Sequence, residues 1–157
     1  MDGIIIKKIG GNGRGVFANK SFKKNELILK IKHKKLLSDK EASKVSYHFQ
    51  NHMSYVGSGK YAIMGIPERY INHSCDPNTY FKHNGSNEQI IAIKTIKKGQ
   101  EITADYTIDS NPEDKWWMNC ICKSKNCRKI IKAGFKKLDK KLQKKYLKYA
   151  PSWNKKD

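Results

Sequence analysis

Four cysteines carry the most chemical information in this chain. Cys120, Cys122 and Cys127 fall as Cys-x-Cys-x4-Cys within CICKSKNC, and Cys75 stands forty-five residues upstream in NHSCDPN. Four thiolates can close a tetrahedral zinc site, which stabilises a segment too small to hold itself by packing. Lys123, Lys125 and Arg128 surround the cluster, and their charge favours thiolate over thiol. The competing readings are two disulfides or unpaired buried thiols. Disulfides are disfavoured because nothing marks the chain as secreted, and Cys120 and Cys122 are too close to bridge comfortably. With Cys75 as fourth ligand, a metal would staple the C-terminal third beside Asn72 and His73.

A second stretch able to meet a ligand is Gly11-Asn12-Gly13-Arg14-Gly15, where glycines let the backbone approach closely. It is neither a dinucleotide fingerprint nor a phosphate loop: the third glycine comes one residue early, and no Lys-Ser/Thr follows. Taken alone it reads as a hairpin turn. His33, His48, His52 and His83 sit in no motif and read as surface or satisfied core residues.

Short elements have to position these groups. Residues 3–9, 14–18 and 26–32 are apolar enough for strands, and Ser38 with Glu41 forms a capping box opening a helix over 39–50. Segments 53–56 and 60–64 flank Gly57-Ser58-Gly59, while 79–83 and 89–94 flank Asn84-Gly85, both hairpin signals. A further segment, 101–106, follows the Lys98-Gly99 turn. Asn111-Pro112 starts a predicted short helix over 112–119. A second covers 136–149, with Leu138, Leu142, Tyr146 and Tyr149 on one face and Pro151 as its stop. Many short strands and few helices predict a mainly β domain with a helical C-terminal appendage.

At 157 residues the chain fits one domain. No run of 18 apolar residues exists, so no membrane span is expected, and MDGIIIKKIGG does not read as a signal peptide. The protein is expected to stay in the compartment where it is made. Formal charge is +19, from 33 basic and 14 acidic residues. Such a field attracts polyanions, although 30 of the basic residues are lysines, poor readers of base edges. Between Arg128 and Asp157 stand twelve basic and two acidic residues, a net of +10.

RYINHSCDPN (69–78), GQEITADY (99–106) and CICKSKNC (120–127), preceded by GNGRGVFA (11–18), together resemble the SET domain with its cysteine-rich post-SET tail. The resemblance spans about residues 3 to 128. It implies short strands in several small sheets with a pseudoknot of segments 71–75 and 102–106, plus a zinc-binding segment and a C-terminal helix. The domain would cover 1–110, the zinc segment 111–130 and the basic helical tail 131–157. Also implied is an S-adenosylmethionine-dependent protein-lysine N-methyltransferase acting on a histone or other basic protein. Its place would be the nucleus or chromatin in a eukaryote or virus, and the cytoplasm or nucleoid in a prokaryote.

By position, the resemblance assigns the cofactor to Gly13, Arg14, Gly15, Asn72, His73, Tyr106 and Ile121, with Tyr106 also the catalytic candidate. Tyr106 lies beside the point of transfer, and Cys75, Cys120, Cys122 and Cys127 hold structural zinc. Tyr55 and Trp117 are candidates for the lysine channel, with Trp116 an alternative to Trp117; plain packing is the competing reading for both tryptophans. Ala104 stands where the family usually has Phe or Tyr, so a roomier pocket and higher methylation are expected. Two rival readings are a catalytically idle SET-like module that binds chromatin or nucleic acid, and a small zinc-bound nucleic-acid-binding protein. Non-specific DNA contact through the tail is compatible with all three.

Overall fold

The computed structural model describes residues 2–11, 13–46, 49 and 52–155. Asn12 of the glycine motif and residues 47, 48 (His48) and 50 of the expected 39–50 helix lie outside them. Among the described residues, twelve short strands fall into five small sheets, with three short α-helices. None of these helices is long and apolar enough to cross a membrane.

β1 (Ile4–Ile9) and β2 (Gly13–Ala18) pair as an antiparallel hairpin, with Ile4 opposite Ala18 and Ile9 opposite Gly13. β3 (Leu27–Lys32), β9 (Asn87–Ala92) and β8 (Thr79–Asn84) make a three-stranded antiparallel sheet with β9 central. Side chains alternate across a strand. Leu29, Ile31, Phe81 and Ile90 therefore turn toward the main core, where they meet Val16, Phe22, Ile71, Ile96 and Ile102.

β4 (Leu36–Ser38), β6 (Lys60–Ile63) and β5 (Met53–Gly57) form the second three-stranded sheet. The Ser38/Glu41 capping box is present and opens α1, but α1 covers only Asp39–Ala42. Ser43-Lys44-Val45-Ser46 follows, and two serines and a β-branched valine propagate a helix poorly.

β7 (Asn72–His73) and β10 (Thr103–Ala104) pair in parallel, Thr103 against Asn72 and Ala104 against His73. The chain around β10 is bonded on both sides. Ile102 N–H donates to Val16 O (2.7 Å) in β2, while Ser74 N–H donates to Ala104 O (2.9 Å). The strand expected over 101–106 is therefore much shorter. It ends where Asp105, accepting from Thr107 N–H, caps α2 (Tyr106–Asp109).

The helix expected over 112–119 does not form. Asn111 closes only a turn, its Oδ1 accepting from Glu113 N–H (3.1 Å), and Trp117–Asn119 is β11, paired with β12 (Ile130–Lys132). Pro112 is as compatible with a turn as with a helix start, and the pairing with β12 decides. The helix expected over 136–149 is broken into a 3-10 turn (Phe135–Lys137), α3 (Lys140–Tyr146) capped by Asp139, and a 3-10 turn (Leu147–Tyr149). Its apolar face holds: Leu138, Leu142, Tyr146 and Tyr149 gather with Phe135 and Ala150 around Ile108 of α2. The segment then closes onto the body. Asn154 Nδ2 donates to the carbonyls of Ile108 and Ser110 (3.0 Å each), and the Trp153 ring covers Gly57. A Cβ at residue 57 would lie 2.9 Å from that ring, at a φ of +91°.

Candidate active site

The paired strands β7 and β10 bring the first functional group together. Asn72 Nδ2 donates to the Arg14 carbonyl (2.9 Å) in β2 and to Glu101 Oε1 (2.7 Å). This joint explains Gly15: a Cβ there would sit 2.5 Å from Glu101 Oε1 and 3.2 Å from Asn72 Nδ2. The Arg14 side chain turns back to Tyr70, donating to its hydroxyl (3.0 Å) with its guanidinium 5.3 Å from the ring centre. Glu101 and Tyr70 were given no role by the sequence reading. Both stand inside the quoted motifs, which was the available signal.

Tyr106 opens α2 just beyond β10. Its hydroxyl donates to the Ile71 carbonyl (2.8 Å), its N–H donates to His73 Nδ1 (3.2 Å), and the two rings lie 5.3 Å apart. Burial, reinforced by the Glu101 carboxylate, pushes the Tyr106 phenol up to about 12. Burial and the nearby Arg128 guanidinium push His73 down to about 4. Both groups are therefore neutral at pH 7. Because His73 Nδ1 accepts from Tyr106, its proton sits on Nε2, which faces Cys75 Sγ at 3.3 Å.

The cysteines converge next to this pair, and all four are free thiols. Cys75 and Cys120 sulfurs stand 3.7 Å apart, and Cys75 N–H donates to Cys122 Sγ (3.5 Å). His73, Cys75, Cys120 and Cys122 each offer an atom within 4.8 Å of the others. Cys127 sits at the edge, its Sγ facing the Cys120 carbonyl at 3.5 Å. Zn–S bonds of about 2.3 Å put the corners of a tetrahedron about 3.8 Å apart, so the Cys75–Cys120 spacing fits zinc. Burial opposes ionisation of Cys122, but donors from Cys75 N–H and Ser124 outweigh it and bring the thiol to about 6.

Arg128, next to Cys127, ties the cluster to Tyr106. Its Nη2 donates to buried Asp105 Oδ1 (2.7 Å), and its N–H donates to Cys75 Sγ (3.4 Å). Burial pushes the Asp105 carboxyl up, against the pull of Arg128. Nothing local in the sequence marks this pair, twenty-three residues apart.

The other candidates divide. Ala104, on β10, is buried (1% exposed) as part of the main core. Trp116 packs on the cysteine cluster, whereas Trp117 (64%) and Ile121 (87%) are exposed apolar side chains flanking it. Tyr55 joins a different group: its ring packs on Tyr61 and Trp153 at 5.1 Å each, and its hydroxyl accepts from Gly59 N–H (3.1 Å). Among the described residues no hydrogen bond or ring contact joins Tyr55 to Tyr106. The His33 and His83 side chains are buried, within ion-pair distance of Glu88 and, for His83, of Asp109 as well.

A SET domain family model matches residues 13–107, and the chain belongs to that family. Human histone-lysine N-methyltransferase 2D is 28% identical over 130 residues, covering 74% of this chain and 2% of that protein. The variant-silencing SET domain-containing protein of Plasmodium falciparum is 33% identical over 150 residues, covering 82% and 6%. The H3 lysine-36 specific histone-lysine N-methyltransferase of Saccharomyces cerevisiae is 28% identical over 136 residues, covering 79% and 18%. The chain thus spans a small fraction of the length of these relatives. Among solved structures, a humanized mutant of the Chaetomium thermophilum Polycomb Repressive Complex 2 aligns at a TM-score of 0.57 and 25% identity. That alignment covers 68% of this chain and 15% of the other.

Proposed function

We propose that this chain is an S-adenosylmethionine-dependent protein-lysine N-methyltransferase acting on a histone or another chromatin protein. One observation carries the reading: a neutral tyrosine hydroxyl, its proton committed to the Ile71 carbonyl, stands at the end of two parallel paired strands beside the Asn72–His73 pair. S-adenosylmethionine supplies, when bound, an electrophilic methyl group on a sulfonium. The rest falls to the chain.

A free lysine amine has a pKa near ~10.4, so presenting it uncharged at pH 7 costs roughly 4–5 kcal/mol. Tyr106 does not take that proton, since its own phenol titrates at about 12. With its hydrogen donated to Ile71, the oxygen keeps lone pairs that accept from an N–H and hold the amine's direction. Alignment of this kind is worth far more than a weak base. The backbone of Gly13–Gly15, with Asn72 and His73, would hold the amino-acid end of the cofactor. Exposed Ile121 is the apolar surface its adenine would cover, and Trp117 would flank the lysine channel. Cys75, Cys120, Cys122 and Cys127 would hold a structural zinc.

Transfer of labelled methyl groups to histones, on the free proteins and on nucleosomes, tests the reading. Tyr106→Phe should lower turnover about 10²-fold while calorimetric affinity for the cofactor changes little. Cofactor binding without transfer to any substrate would favour the idle module instead. No response to S-adenosylmethionine, with DNA binding kept, would favour the zinc-bound nucleic-acid-binding reading.

Ala104, two residues before Tyr106, is the smallest side chain in the β7–β10 pair. Replacing it with tyrosine should shift products toward fewer methyl groups, as read by mass spectrometry. Overpacking is expected to cost about 1–3 kcal/mol, so a thermal melt accompanies the assay. Identical product distributions in a folded Ala104→Tyr protein would remove Ala104 from this role.

A further inference from the structure

We propose that the outer face of the β3–β9–β8 sheet, continued by the C-terminal lysines, docks on the phosphate backbone of duplex DNA without reading its sequence. The sheet register places the charges. Lys30 lies opposite Gln89, which lies opposite Lys82; Lys32 lies opposite Asn87, which lies opposite Asn84. Two adjacent rows therefore present lysines and amides, and these side chains, with Ile31 and the almost wholly buried Glu88 at the floor, line a concavity of about 510 Å³.

Acidic groups are missing from this face for a structural reason. Glu88, the one acid on the three strands, has the opposite parity and is 1% exposed, bound inside to His33, His83 and Ser54. Among the described residues none of Lys30, Lys32 and Lys82 enters an ion pair, whereas Lys20, Lys94 and Lys145 do. Unpaired lysines cost nothing to redirect toward an incoming anion. Strand geometry puts Lys30 about 6.7 Å from Lys32 along β3 and about 9.5 Å from Lys82 across β9. Both separations lie within reach of flexible four-carbon arms contacting neighbouring phosphates.

The C-terminal segment extends the same face. Tyr80 shares the parity of Lys82 on β8, and its ring packs on Tyr149 at 5.0 Å. Lys148 is held there, its Nζ 4.9 Å from the Tyr149 ring centre. Lys148 thus joins the sheet's lysines at one edge. A protein partner would call for an aromatic or arginine anchor in a desolvated pocket. This concavity has amides and lysine stems instead, which suit a repeating anion contacted through point charges.

Methyl transfer plays no part in the proposal, and its test needs no cofactor. Fluorescence anisotropy of a labelled duplex would be followed against salt for three proteins. These are the unaltered chain, a sheet triple (Lys30→Gln, Lys32→Gln, Lys82→Gln) and a charge-matched triple elsewhere (Lys24→Gln, Lys97→Gln, Lys98→Gln). Each released phosphate contact contributes about 0.9 to the slope of log K against log salt. The sheet triple should therefore lower the slope by about 2–3 and the matched triple by less than about 1. Thermal melts confirm that both triples fold. Equal losses in the two triples would overturn the proposal in favour of a diffuse field. Tighter binding of a poly-glutamate peptide than of duplex would overturn it in favour of an acidic protein.

Discussion

Zinc should leave a Cys127→Ser protein and stay in a His73→Gln protein. Proximity alone suggests the reverse, because His73 belongs to the tight group with Cys75, Cys120 and Cys122 while Cys127 stands at its edge. The hydrogen bonds decide otherwise. A ligating imidazole must offer a lone pair on the nitrogen facing the metal and carry its proton on the other. Binding through Nε2 would put a proton on Nδ1, where the Tyr106 N–H already donates. Two donors would then face each other at 3.2 Å. With Nδ1 as acceptor, the Nε2–H instead donates to Cys75 sulfur and stabilises its thiolate, as Arg128 N–H does from another side. His73 would then support the site, and Cys127 would supply the fourth thiolate.

Structural zinc contributes about 10–16 kcal/mol of apparent binding energy in small zinc-dependent domains. Chelation should therefore melt β11, β12 and the cysteine turn. The main core, whose residues are separate from the cysteine cluster, should persist. Trp116, which packs on the cluster, should report the change by fluorescence, and mass spectrometry of the native protein should count one zinc per chain. Zinc retained by Cys127→Ser and lost by His73→Gln would refute the assignment.

The hairpins were legible because their signals are local. Alternating apolar residues around Gly57-Ser58-Gly59 or Asn84-Gly85 require no distant partner. β7 and β10 were not legible as strands from periodicity, since two residues carry no period; only the motif resemblance marked them. β11 failed for a related reason: Trp117, Met118 and Asn119 are all exposed, so no alternation separates a buried face. The motifs supplied Asn72, His73, Tyr106 and the cysteines, each the member of a short pattern. They could not supply Asp105–Arg128, or the use of Glu101 to anchor Asn72, because those pairings exist only once segments distant in sequence meet. Tyr55 is a different case: its position before the NHSC motif suggests a channel role, while the structure adds a contact no local pattern marks, the packing of its ring on Trp153.

Glu88→Gln should cost the fold about 3–5 kcal/mol near pH 6, lowering the melting temperature by about 10 °C. Glu88 is buried between two histidines, with Oε2 3.1 Å from His33 Nε2 and Oε1 3.0 Å from His83 Nδ1. His83 Nε2 is in turn 2.6 Å from Asp109 Oδ1, so one chain of charges joins the sheet to the helix that begins at Tyr106. Burial alone would push Glu88 up, but His33 and His83 outweigh it and bring the carboxyl to about 2. Burial likewise disfavours charge on His83, yet Asp109 and Glu88 hold it to about 10. The two shifts act on opposite limbs of the stability profile. Glu88, lowered from 4.5, contributes stability that is complete above about 4.5 and lost as pH falls through about 2. His83, raised from 6.5, contributes stability that is complete below about 6.5 and lost as pH rises through about 10. Glutamine at 88 keeps the shape and removes the charge, so the acid limb loses its Glu88 component. His83 then retains only Asp109 as counter-ion, and the alkaline limb moves to lower pH. Melting curves from pH 3 to 10 read both changes at once. A uniform drop at every pH would mean lost packing rather than a lost charge, and would break the link between this buried pair and the placement of α2.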